Sequence, residues 1–300
     1  MKMPRQLGLI VEGNSTKSAI LRYPGLADSI GPIKASVLSV AHRVSNFIRA
    51  GNAIHDYEDL GNCDLVLIRV PDASVPRIVD ELCASALPMS GISFLLCESW
   101  LSSEVLSPLK ARGATVATLL AVPAQSSQWF ALEGQYTAVK RSKRLLNSVD
   151  ASTVELRAGT KHLYFAASAF AETLPRALFA AAQRSLRRAG VSGNHLHLLL
   201  EDMAQNMFRD ITRGSRAGWT GPLLDCPEEV AREYLICLQN TMPDIAKLLS
   251  EQLKLAEPFM LQRIQRGSKK SASAGAKQSA TAAGKSTGAL PKIVDLPNFS

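Results

Sequence analysis

The segment Leu7-Gly8-Leu9-Ile10-Val11-Glu12-Gly13-Asn14-Ser15-Thr16 joins an apolar run to a glycine and three small polar side chains, just before a helical pattern. In a G-x-G-x-x-G turn the first glycine bends the chain, the second lets a pyrophosphate approach the backbone, and the third lets helix pack on strand. Those places read Val11, Gly13 and Thr16 here, so most of the glycines are missing. The free N–H groups and positive end of a following helix would still attract phosphate, with Asn14, Ser15 and Thr16 as side-chain donors. Arg43 stands about 30 residues past Gly13, after the second expected strand, where ribose selectivity is set. No carboxylate lies between Ser29 and His55. The acidic partner of an NAD ribose is therefore missing, and Arg43, with His42, suits the 2′-phosphate of NADP instead. Other constellations fail on geometry. His195 and His197 lie two apart on an expected helix, point about 200° apart, and cannot share a metal. The serines at 99, 102, 103, 126 and 127 have neither an adjacent histidine nor a Gly-x-Ser-x-Gly turn, so a hydrolase triad has no support.

The elements that must position these groups follow from periodicity. Up to about residue 150, short apolar runs alternate with helical stretches, the pattern of βαβ units on a parallel sheet. Strands are expected at Leu7–Val11, Ala35–Val40, Asp64–Val70, Ser93–Cys97, Thr115–Leu120 and Tyr136–Val139. Helices are expected at Lys17–Ser29, Arg43–Ala50, Val75–Ala86 and Ser103–Arg112. From Lys161 to Ala189 an alanine- and leucine-rich stretch predicts one long, largely buried helix, which Pro175 should kink or divide. Further helices are expected at Asn194–Ile211, Pro227–Gln239 and Pro243–Leu261. A helix apolar on most faces needs more partners than a small domain offers, so its remaining side predicts a homodimer surface.

The order of these parts resembles a two-domain family, domain of unknown function 2520, with a Rossmann-like amino half and a helical carboxyl half. Its relatives include pyrroline-5-carboxylate reductase, ketopantoate reductase and 6-phosphogluconate dehydrogenase. The resemblance covers about residues 5 to 257. It rests on Asp64-Leu65-Val66-Leu67-Ile68-Arg69-Val70-Pro71-Asp72, on Ser103-Glu104-Val105-Leu106 through Gly113, on Lys161-His162-Leu163-Tyr164, on Ala189-Gly190, and on Trp219-Thr220-Gly221-Pro222. It implies an α/β Rossmann-like domain over 1–150 with a parallel sheet, and an all-α domain over 151–262 similar to the carboxyl-terminal domain of 6-phosphogluconate dehydrogenase. It also implies site roles: Pro71 beside the cofactor with Gly13, Asn14, Ser15, Thr16 and Arg43; Lys161 as proton donor to a carbonyl or imine; Asn206 with it; and Thr220 against the substrate. The chain departs from the family at polar positions expected to face an interdomain cleft. A usual His-x-Ser-Gly reads Leu96-Cys97-Glu98-Ser99, a histidine after the helical tyrosine is Phe165, and an asparagine beyond it is Glu172. A hydrophobic residue in place of histidine moves no proton, so the family's chemistry cannot operate here unchanged.

Composition bounds the rest. The 300 residues are 46% hydrophobic, enough for two cores. Apolar runs fall far short of the roughly 20 residues that cross a bilayer, so no membrane span is expected. Met1-Lys2-Met3-Pro4 leads straight into a strand, and a cytoplasmic location is expected. Five cysteines without a C-x-x-C pair are read as small buried hydrophobes. Much of the net charge of +8 sits in a Ser-, Ala- and Lys-rich tail over 263–300, expected to be disordered and to touch nucleic acid only weakly, since no aromatic interleaves its lysines. Two functions fit: an NADP-dependent reductase-like protein acting on a small molecule of unknown identity through a degenerate fingerprint, or a non-catalytic relative serving as a ligand-binding or dimeric scaffold.

Overall fold

A computed structural model describes residues 7–13, 18, 20–23, 25–122, 129–212 and 227–256. The chain divides into two compact units, Met1–Glu172 and Thr173–Ser300. The first is built on one eight-stranded sheet of order β3-β2-β1-β4-β5-β6-β7-β8. Its strands are β1 (Leu7–Val11), β2 (Ile30–Ala35), β3 (Asn52–Ile54), β4 (Leu65–Arg69), β5 (Ser93–Cys97), β6 (Thr115–Val122), β7 (Trp129–Gly134) and β8 (Ser152–Leu156). All neighbours pair in parallel except β6 and β7. The helices of this unit are α1 (Leu38–Ile48), α2 (Val75–Ala84), α3 (Ser107–Ala111), α4 (Tyr136–Asn147) and α5 (Lys161–Ser168).

Strands covered on both faces read as unbroken apolar runs. β1 and β5 are buried at every position. Alternation then assigns side chains to the two faces. Leu9, Val11, Leu67 and Leu95 pack with Ile20, Leu26, α1 and α4. Ile10, Val66, Ile68 and Phe94 pack with α2 and with Leu109 of α3. The mostly parallel sheet expected from the alternation is therefore present, with the Rossmann-like arrangement that the resemblance implied, and β1, β4, β5 and β6 fall within a residue or two of their expected places.

Four expectations need correction. The second strand is Ile30–Ala35, and the stretch read as strand from Ala35 begins α1 at Leu38. Pro32 lies inside this strand; the register between β1 and β2 shifts between Leu7 and Leu9, and this irregularity admits a residue without an N–H. Tyr136–Val139 is the first turn of α4, between strands β7 and β8 that periodicity did not pick out. Its Tyr-Thr-Ala-Val run has strand propensity, but Ala138, Val139, Ser142 and Leu146 form one buried helical stripe. The helix expected over Lys17–Ser29 is replaced, among its described residues, by successive turns and the 3-10 turn Ala27–Ser29. Gly25, at φ +80° directly after Pro24 in sequence, accounts for the interruption. Ile20, Leu21 and Leu26 still bury themselves against the sheet.

The fourth correction concerns the long helix. Pro175 does divide it: a π-helical turn at Ala169–Thr173 separates α5 from α6 (Leu174–Arg188). A proline inside a helix removes one backbone donor, and a wider turn beside it re-seats the ladder. Far from being largely buried, however, this stretch leaves Leu163, Phe165, Phe170, Leu174 and Leu178 exposed. The second unit continues with α7 (Gly193–Thr212), α8 (Glu228–Thr241) and a helix over 243–256. Among its described residues, Leu196, Ala231, Leu235, Met242 and Ala246 are buried apolar side chains, and Arg184 pairs with Asp244. Cys63 and Cys97 are buried as expected, whereas Cys83 is half-buried and Cys237 exposed. Cys226 and the 263–300 tail lie outside the described residues. No described helix is long and apolar enough to cross a membrane.

Candidate functional site

Strand order reverses between β1 and β4, and in open parallel sheets the crevice outside the carboxyl ends at such a reversal is where ligands settle. Val11 and Arg69 are the paired last residues of the two strands, and the Glu12 N–H donates to the Arg69 carbonyl at 3.3 Å. The next residue, Gly13, is exposed and turns at φ +65°. Among the described residues, a Cβ built on it would meet nothing closer than Pro71 Cγ at 3.7 Å, so on that side the backbone is open to a ligand. Gly13 and Pro71, both expected beside a cofactor, are thus brought together.

Around this edge the structure places charged groups that sequence patterning did not single out. The Glu12 carboxylate pairs with Arg77 of α2, which also pairs with Glu81. Burial by itself would raise the Glu12 pKa, but hydrogen bonds from Arg77, Ser74 and Ser36 outweigh it and hold the group below the usual carboxylate range. Tyr57 Oη continues the chain by donating to Glu81 Oε2 at 2.7 Å. A second network centres on Glu98, the residue after β5. Its carboxylate accepts from Arg69 Nε at 2.6 Å, Ser18 Oγ at 2.9 Å and the Ile20 N–H at 3.1 Å.

The third cluster surrounds Lys161, the first residue of α5. Its Nζ donates to the carbonyls of Ser99 and Leu101, each at 2.6 Å, and the side chain is 3% exposed. Burial lowers its pKa to about 8, against the opposing charges of Glu133 and Asp72. Trp100, between the two carbonyls, stacks on Tyr164 with centroids 6.5 Å apart and meets Phe165 edge-on at 5.1 Å. Glu133, fully buried on β7, holds the surrounding loops. It accepts from Ser103 N and Oγ at 2.8 and 2.9 Å, Gly159 N at 3.1 Å and Thr118 Oγ1 at 3.4 Å.

The other expected residues are distributed differently. Because β2 ends at Ala35, Arg43 lies exposed in the middle of α1, well past the strand end where ribose selectivity is set. Asn206 is exposed on α7, in the second unit. Glu172 stands in the π-helical turn and accepts from Ser168 Oγ at 3.1 Å. Asn14, Ser15, Thr16 and Thr220 lie outside the described residues. Among the described residues, no group of three or more His, Cys, Asp or Glu side chains is arranged to hold a metal ion.

Comparison with known proteins agrees with this architecture. Residues 128–266 match the family described as Domain of unknown function (DUF2520). No curated protein matches the sequence. Among solved structures, a protein assigned as an NADP oxidoreductase from Bacteroides fragilis superposes with a TM-score of 0.65 at 12% identity, covering 86% of this chain and 98% of its own. A pyrroline-5-carboxylate reductase from Coxiella burnetii gives a TM-score of 0.53 at 14% identity, covering 88% and 98%. A reductive aminase from Aspergillus terreus, solved with NADPH and ethyl levulinate, gives 0.57 at 16% identity, covering 85% and 93%. Identities this low establish shared fold rather than shared substrate. The chain is a Rossmann-like protein with the fold of these reductases, and its residues 128–266 match DUF2520.

Proposed function

We propose that the protein is an NADP-linked oxidoreductase of unknown substrate, with its dinucleotide across the carboxyl ends of β1 and β4. The observation that carries this reading is the open, left-handed turn at Gly13 facing Pro71 at the strand-order reversal. Gly13 and Pro71 offer a backbone approach for a pyrophosphate and Asn14, Ser15 and Thr16 its side-chain donors; Arg43, although it stands on α1 past the end of β2, is the cation assigned to a 2′-phosphate. The bound dinucleotide would supply the hydride. Lys161 is the proton-holding group of the site: with a pKa of about 8 it is mostly charged at neutral pH and still able to give up its proton. Trp100, Tyr164 and Phe165 provide an apolar wall next to it. Asn206 and Thr220 are assigned to the substrate, a small carbonyl or imine compound. The protein is taken as a cytoplasmic homodimer.

One observation favours the alternative, a non-catalytic ligand-binding or dimeric scaffold. Among the described residues, two cations near the Gly13 turn, Arg69 and Arg77, are both engaged by the chain's own carboxylates. Fluorescence titration with NADPH and NADH separates the two readings. Saturable NADPH binding with NADPH-dependent reduction of carbonyl or imine compounds is expected. Absence of binding at millimolar dinucleotide overturns the reductase reading, and preference for NADH removes the role given to Arg43.

A further inference from the structure

Glu98 combines three features that a surface carboxylate does not need. It is a non-glycine residue at φ +51°, a conformation that costs about a kcal/mol or more and persists where surroundings enforce it. Its N–H is tied to the Leu119 carbonyl at 2.8 Å, which fixes the backbone. Its side chain, 14% exposed, gathers a guanidinium N–H, a hydroxyl and a backbone N–H onto one carboxylate. A guanidinium with convergent N–H and O–H donors is the set that recognises a phosphate.

Where these donors come from matters. Arg69 ends β4 at the strand-order reversal, on the sheet face covered by the segment that follows β1. Ser18 and Ile20 belong to that segment, whose described residues take turns where a phosphate-binding helix was expected. The Leu21 N–H is turned onto Ser18 Oγ at 3.4 Å, so the hydroxyl that serves Glu98 also shapes the turn. A single carboxylate thus neutralises the nearest cation of β4 and pins the segment that would face an incoming anion.

We propose that Glu98 is an internal anion that fills the phosphate-recognition position of this sheet edge, and that it thereby sets the affinity for a phosphate-bearing ligand. A diphosphate entering beside Gly13 competes with Glu98 for Arg69 and for the Ser18–Ile20 donors. Removing the carboxylate turns those donors toward the ligand. This rests on the dinucleotide reading in taking the diphosphate as its ligand, but its test has an arm free of the dinucleotide.

The full-length protein and its Glu98→Gln and Glu98→Gly variants are titrated calorimetrically with inorganic pyrophosphate and, separately, with NADPH. Glycine removes the carboxylate while relieving the positive φ, so this variant stays folded even if glutamine disturbs the turn. Hydrogen exchange of the Ile20 and Leu21 amides reports whether the segment is released. Faster exchange is expected in both variants, with pyrophosphate binding tightened about tenfold or more, as regained charge-assisted bonds imply. The gain should shrink at high salt. Released amides without tighter pyrophosphate binding overturn the proposal and leave Glu98 a purely structural clamp. Unchanged amide exchange in Glu98→Gly overturns it as well. If wild-type protein binds NADPH and neither variant binds pyrophosphate or NADPH more tightly, the proposal falls while the reductase reading stands. If the variants gain pyrophosphate affinity but no form binds NADPH, the reductase reading falls and the role of Glu98 stands.

Discussion

At the scale of single residues, buried charge governs the candidate site. Lys161 carries its ammonium into a nearly closed position where Nζ donates to two backbone carbonyls, and burial pulls its pKa from 10.5 to about 8. Below pH 8 folded and unfolded chains are both protonated there, and the folded state bears the full cost of the buried charge. Between pH 8 and 10.5 the unfolded chain holds the proton more tightly, so stability rises with pH. Relative to Lys161→Met, the wild-type protein should gain about 3 kcal/mol across that interval, followed by urea unfolding at fixed pH steps. A pH-independent difference between the two would place Lys161 in solvent. In turnover assays Lys161→Met should lose reduction while keeping NADPH affinity, and retained turnover would remove it as the proton donor. Glu133 poses the opposite problem. Its carboxylate satisfies buried donors from Ser103, Gly159 and Thr118. Glu133→Gln turns an amide N–H toward some of them, and a loss of about 2 kcal/mol in unfolding free energy is expected. No change in the urea midpoint would contradict this placement.

At the scale of elements, one close approach in the sheet and one irregular helical turn shape the first compact unit. β6 and β7 are the antiparallel pair, and Gly134 lies opposite Ala117 at φ +144°. A Cβ there would sit 2.5 Å from the Ala117 Cα, a backbone atom that cannot yield like a side chain. Gly134→Ala should therefore cost about 3 kcal/mol or more, seen as a lower denaturant midpoint with little change in slope. The π-helical turn at Ala169–Thr173 is the second device: it accommodates Pro175 and marks the end of the first compact unit. The break in the helix was legible in sequence because proline's missing N–H acts locally. The position of β2 was not. Gly31 and Pro32 weakened its strand signal, while Ala35-Ser36-Val37-Leu38-Ser39-Val40 mimicked one, and only pairing between β1 and β3 settles the choice.

For the whole molecule, exposed apolar side chains stand on both compact units, among them those of α5 and the π-helical turn in the first and of α6 and α7 in the second. Phe170 is 69% exposed and Leu163 60%, with Leu174 and Leu178 on the following helix. Patches of this kind mark association surfaces. Phe170→Asp should shift the protein from dimer to monomer in light scattering coupled to size exclusion, and a wild-type protein already monomeric at micromolar concentration would contradict the dimer reading. The sequence by itself determined the order of the parts: parallel strands read as apolar runs because both faces are covered, and Pro175 and Gly13 act through local backbone geometry. Gly13, Pro71 and Lys161 could be singled out as candidates from the motif and the family resemblance. Glu12, Arg69, Arg77, Glu98 and Glu133 were not, because a charged side chain shows its role only through its partner. Glu98 and Arg69 are 29 residues apart, and Glu98 and Ser18 are 80. Only the tertiary structure brings them together, and with them it decides that the edge around Gly13 is lined by ion pairs as well as by an open turn.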